Sequence, residues 1–113
     1  MDTKELEKAI PHITVEIIEY VPNSVVMKTI LKKSTGTVSA ISADDGEGLS
    51  ERTSPFDTFV QMIDGKAEIV IDGVCKLVKT GHSIVIPAHK SAYIKPNGRF
   101  KILWTVIKSG YEL

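Results

Sequence analysis

Short apolar, β-branched runs closed by turn signals follow one another along this chain, and no amphipathic segment of helix length interrupts them. Val25 to Leu31 leads into Lys32-Lys33-Ser34-Thr35-Gly36, whose glycine suits a hairpin connection. Thr37 to Ala43 alternates imperfectly, with Val38 and Ile41 as its apolar points, and Asp44 to Ser50 is a polar, glycine-containing loop. Phe59 to Ile63 reads as a strand ended by an Asp64-Gly65 turn, and Lys66 to Ile71 as a strand ended by Asp72-Gly73. Val74 to Val78 is another, broken at Thr80-Gly81. Ile84-Val85-Ile86 runs to Pro87, which has no backbone donor and must end a strand or lie at an edge. After Asn97-Gly98, Phe100, Ile102, Trp104 and Val106 alternate onto one face. This pattern predicts an all-β sandwich or barrel.

The N-terminal 24 residues read differently. Lys4 to Ile10 suits one or two helical turns stopped by Pro11. His12 to Val21 is expected to be extended, with a short turn of helix around Glu16 to Tyr20 as the alternative. The expected division is an N-terminal segment, 1–24, packed on a barrel domain, 25–113. A chain of 113 residues is one domain by size.

Charge and cysteine content exclude several function classes. Fourteen basic residues balance fourteen acidic ones, with no long run of either sign. Nucleic-acid binding needs a basic face that displaces phosphate counterions, so it is not expected. No apolar stretch approaches the ~18 residues of a membrane span. The charged N-terminus has no apolar region behind it, so it does not read as a signal peptide. Cys75 is the sole cysteine and forms no internal disulfide. The cytoplasm is the expected compartment.

Gly46 to Pro96 carries a further pattern. Gly46-Glu47-Gly48-Leu49-Ser50-Glu51, Ser54-Pro55-Phe56-Asp57, Asp64-Gly65-Lys66-Ala67-Glu68, Gly81 and Ile84-Val85-Ile86-Pro87-Ala88 resemble the double motif of the small bacterial cupins. The resemblance covers about Val25 to Lys108. It implies a small RmlC-like jelly-roll β-barrel of roughly eight to ten strands, with a short irregular or helical N-terminal segment. In the family, three histidines and a glutamate hold a metal inside the barrel. Here Arg52, Ser54, Thr58 and Ala92 occupy those slots, while His89 stands in the Gly slot and Pro96 in the Asn slot. A divalent ion needs three or four lone-pair donors. Arg52 is a permanent cation without an acceptor, Ser54 and Thr58 are neutral hydroxyls, and Ala92 offers nothing. No cofactor is therefore expected. The remaining histidines do not substitute: at ~3.3 Å per residue, His82 and His89 on a straight strand lie about 20 Å apart. His12 falls outside the matched region.

Each candidate has a plain reading beside the functional one. Arg52 either pairs with Glu51, Asp57 or an acid of the Asp44 to Glu47 loop, or presents its guanidinium to a carboxylate or phosphate on a ligand. Ser54 and Thr58 can hydrogen-bond that ligand, although hydroxyls on strands are more often satisfied by backbone. Val60 and Met62 share the parity of Thr58 and should line the barrel. Phe59, Gln61 and Ile63 face the other way, as an apolar strip suited to a partner. His89 and Tyr93 flank the vacant slot as the acid–base pair of metal-free sugar-epimerase cupins would. His82 reads as a turn residue and Cys75 as a small core residue.

The preferred reading is a metal-free, non-catalytic cupin-fold binding protein for a small anionic ligand, homodimeric. Arg52, Ser54, Thr58, His89 and Ala92 would surround the ligand over an apolar floor of Val60, Met62, Ile84, Ile86 and Trp104. The rivals are a metal-dependent cupin enzyme of dioxygenase or isomerase type with atypical ligands, and a dimeric interaction module whose barrel is only a packed core.

Overall fold

The computed structural model describes residues 5–110. Eight strands follow in order: β1 (Val25–Lys33), β2 (Gly36–Ala43), β3 (Leu49–Thr53), β4 (Thr58–Ile71), β5 (Val74–Lys79), β6 (Ser83–Ile86), β7 (Ser91–Ile94) and β8 (Phe100–Ile107). All pairings are antiparallel. The hydrogen-bonded path runs β1-β2-β8-β4-β7-β3, with β5 and β6 also paired to β4. β4 therefore belongs to both layers. Its first half pairs with β6 and β8, and its second half with β5 and β7.

The passage between layers lies where the sequence predicts a turn. Asp64-Gly65 does not end a strand; β4 continues through it, and the register against β8 shifts between Met62 and Asp64. Gly65 adopts φ +85°, and a Cβ there would collide with the Arg99 carbonyl oxygen. The dipeptide bends one long strand instead of reversing it. Asp72-Gly73, with φ 51° and 82°, does make the expected two-residue hairpin, joining β4 to β5.

Between the layers lies the core. Ile41, Val60, Met62 and Ile102 from one side meet Ala67, Ile69, Val78 and Ile94 from the other. Phe100, Met62, Ile69 and Ile102 are at most 1% exposed. Burying each such side chain stabilises the fold by about 1.5–3 kcal/mol before entropy.

The N-terminal segment departs from the expected forms. Lys4 lies outside the described residues, and Lys8-Ala9 forms a turn rather than a helix, Ala9 standing at φ 64°. His12 to Val21 is not extended throughout: Thr14–Glu16 is one turn of 3-10 helix. Tertiary contacts hold this segment. The Leu6 N–H donates to the Ile30 carbonyl (3.1 Å), and the Lys32 N–H to the Glu5 carboxylate (2.6 Å). Ser42 points away from the barrel interior yet is fully buried, because its hydroxyl donates to the Glu19 carbonyl at 2.8 Å. Tyr20 donates to Asp64 at 2.6 Å, with the Arg99 and Lys101 cations 4.6 Å and 4.9 Å from its ring centre. Burial and the neighbouring Asp64 carboxylate both push the Tyr20 pKa well above the ordinary phenol value. Among the described residues, no helix is long and apolar enough to cross a membrane.

Candidate functional site

Four of the residues singled out from sequence come from separate elements to one end of the barrel. β3 and β7 pair with Arg52 opposite Ala92. Directly opposed residues share a face, so Arg52 starts on the side of the 6%-exposed Ala92. Its long stem carries the guanidinium outward, and Arg52 as a whole is exposed. Thr58 opens β4 opposite Ile86 of β6 and Val106 of β8, and is 3% exposed. Ser54 lies in the loop between β3 and β4. Its hydroxyl accepts the Phe56 N–H at 3.1 Å, and its carbonyl accepts the His89 N–H at 2.7 Å.

These groups enclose a small space. A cavity of about 20 Å³ is lined by Arg52, Ser54, Thr58, Ile86, Pro87, Lys90, Ala92 and Trp104. A second, of about 10 Å³, is lined by Leu49, Ser50, Arg52, Ile69, Ile86, Ala92, Tyr93, Ile94 and Trp104. Each admits about one water-sized group. The first is cationic and hydroxylic, with no carboxylate in its lining; the second is mainly aliphatic and aromatic. None of the ion pairs among the described residues includes Arg52. Glu51 instead accepts from the Ser91 hydroxyl, and Asp44 pairs with Arg99 at 2.8 Å. Lys90 lies 3.6 Å from the exposed Asp72 carboxylate. The Thr58 hydroxyl makes no hydrogen bond among the described residues, and it is not a buried orphan. The cavity is the space it opens onto.

The remaining expectations sort by placement. Val60 and Met62 are sealed in the core at 0% and 1% exposure and line neither cavity. Ile84 packs against the same core and also lines neither. The floor is instead Ile86, Ala92 and Trp104. His89 is exposed in the turn before β7, at φ 70°, and does not reach the cavity. It therefore does not join Tyr93 as an acid–base pair across a shared space. Cys75 is exposed, not a core residue, 3.5 Å from Glu68. Glu68 is held below the usual carboxylate range chiefly by its hydrogen bond to Lys95. Lys90 and Leu49 were missed, and Tyr93, singled out only as a partner of His89, lines the second cavity without it. For Lys90 a signal existed, since it shares the alternation of Ala92.

The donor set does not fit the metal of the fold family. Converged at this end are a guanidinium, two hydroxyls and a methyl group, which offer no anionic or imidazole ligand. No three His, Cys, Asp or Glu side chains come together among the described residues.

Neither a protein-family model nor a curated protein sequence matches the chain. Solved structures do. A conserved protein of unknown function from Streptococcus pyogenes superposes with TM-score 0.88 at 24% identity, over 95% of this chain and 94% of that one. A cupin superfamily protein from Desulfitobacterium hafniense gives 0.86 at 28% identity, over 94% and 97%. A cupin 2 conserved barrel domain protein from Leptotrichia buccalis gives 0.79 at 29%, over 83% of this chain and 46% of that one. With two curled layers, eight antiparallel strands and these likenesses, the chain is a small cupin barrel.

Proposed function

We propose that the chain is a metal-free binding module for a small anion, taken at the mouth of the cavity between Arg52 and Lys90. The observation that carries the reading is Arg52 itself. It begins on the interior side beside Ala92, belongs to no ion pair among the described residues, and shares its cavity with a second cation and no acid. A guanidinium presents parallel N–H donors that match a carboxylate or phosphate edge. The small cavity restricts the ligand to a few heavy atoms. Thermal-shift measurements with acetate and inorganic phosphate test the reading. Stabilisation is expected with at least one of them and is expected to vanish in Arg52→Ala. Equal shifts in both proteins would make Arg52 a solvated surface residue and overturn the proposal.

A second reading concerns the outer face and is compatible with the first. Phe59 lies opposite both Val85 and Thr105, and Gln61 opposite Leu103. Phe59 is 39% and Val85 53% exposed. Another part of that face, around Ser42, is covered by the N-terminal segment. A second copy of the chain over the uncovered part would bury its apolar side chains. Sedimentation should give a dimer at micromolar concentration that Phe59→Lys dissociates. A monomer, or a dimer indifferent to Phe59→Lys, refutes it.

A further inference from the structure

We infer that the anion is the head group of a short, unbranched monocarboxylate, whose alkyl tail enters the second cavity. This rests on the anion reading above and adds the ligand's other half. The two cavities are neighbours that share the same four residues: Arg52, Ile86, Ala92 and Trp104. On one side of that shared wall stand Ser54, Thr58 and Lys90. On the other stand Leu49, Ile69 and Ile94. Ile69 and Ile94 are at most 2% exposed, so that chamber is bounded by the core itself. A ligand charged at one end and apolar at the other matches both halves at once, whereas a bare oxyanion uses only the first.

Size narrows the class further. At about 20 Å³ the polar chamber takes about one carboxylate oxygen, with the rest of the head group at its mouth, and a planar carboxylate does so with less bulk than a tetrahedral phosphate. The planar carboxylate also matches the two-pronged donor edge of Arg52. The apolar chamber, at about 10 Å³, has room for only a small part of an alkyl chain without movement of its walls. Acetate and propionate, whose tails are one and two carbons long, are the expected best fits. Ala92 contributes the smallest side chain of the shared wall.

The test is a calorimetric series of formate, acetate, propionate, butyrate, valerate and hexanoate, with inorganic phosphate alongside, on the wild-type chain. Affinity should rise about fourfold for the one methylene from acetate to propionate, then stop rising at butyrate. Leu49→Ala, at the partly buried rim of the apolar chamber, should move the optimum to a longer acid. Because the wild-type series decides by itself, poor folding of that variant leaves the inference testable. If phosphate and every carboxylate bind equally, and all depend on Arg52, the anion site stands and the tail chamber is refuted. If affinity climbs with length equally in Arg52→Ala, the site is a greasy cleft and both readings fail. If none of the probes binds, both fail as well.

Discussion

The first half of β4 has two ends, and they treat polar groups in opposite ways. At Asp64 the groups engage one another: Tyr20 donates to Asp64 at 2.6 Å, Arg99 and Lys101 face the Tyr20 ring, and Arg99 pairs with Asp44 at 2.8 Å. Asp44 also accepts the Asn23 N–H, the main reason its carboxyl titrates below the usual range. At Thr58, seven residues from Gly65, the Thr58 hydroxyl has no protein hydrogen bond among the described residues, and Arg52 belongs to no ion pair there. Mutual satisfaction fixes the N-terminal segment on the sheet. A cation left over beside a cavity is available to something else. One end stabilises, and the other is where we propose that the anion binds.

The sharpest way to break this contrast is to rebuild the open end. Arg52→His, Ser54→His, Thr58→Glu and Ala92→His together would set three imidazoles and a carboxylate around one cavity, a donor set that borderline divalent ions accept. Zinc should then stabilise the variant by about 2.7 kcal/mol when free metal is ~100 times its dissociation constant. Without the Arg52 change the other three substitutions should bind far more weakly. Denaturant unfolding with and without zinc measures both. A folded quadruple variant that ignores zinc would mean that the four positions do not converge, and equal zinc binding by wild type would mean that the open end already holds a metal.

That four substituted slots meet in one cavity was legible only through the cupin resemblance, which places the family's ligand positions at Arg52, Ser54, Thr58 and Ala92; strand alternation alone does not bring separate strands together. β1, β2, β5, β6 and β8 were legible directly, being β-branched or alternating runs between turn residues. The rest depended on contacts distant in sequence. Asp64-Gly65 carries a strong local turn signal, yet Tyr20, 44 residues earlier, and the close approach of Arg99 hold it as a bend within one strand. β3 and β7 have little apolar alternation and are strands because they pair with each other and β7 with β4. The floor was misjudged for the same kind of reason. Parity places Val60 and Met62 inside, but not how far the opposing layer closes over them.

The closed end should respond more modestly to loss of one hydroxyl. Tyr20→Phe keeps the ring beneath Arg99 and Lys101 but removes the bond to Asp64, at a cost of about 1.5–3 kcal/mol for a hydrogen bond to a charged partner. The pKa of Tyr20 is raised in the folded state. Its contribution is therefore complete below the unfolded phenol value of about 10 and is lost as pH climbs through the folded value. Urea midpoints of the two proteins should draw together above about pH 10. A gap that stays constant with pH would remove the hydroxyl from the account.

The smallest expected effect lies at the open end. His89 holds φ 70°, a conformation costing a side chain about 1–2 kcal/mol. Part of this is returned by glycine's greater entropy loss on folding, so His89→Gly should gain about 0.5–1 kcal/mol. Since His89 lines neither cavity, anion binding should not change. Weakened binding in a stabilised His89→Gly protein would bring the imidazole into the site.

The central claim is that Arg52 is the group that takes the ligand. Calorimetric titration of wild type and Arg52→Ala with propionate tests it most directly, alongside unfolding curves for both. The account predicts nearly equal stability, within about 0.5 kcal/mol as for an exposed residue. It also predicts at least a tenfold weaker association in Arg52→Ala, as loss of a charge-assisted hydrogen bond implies. Equal affinity at equal stability would contradict it.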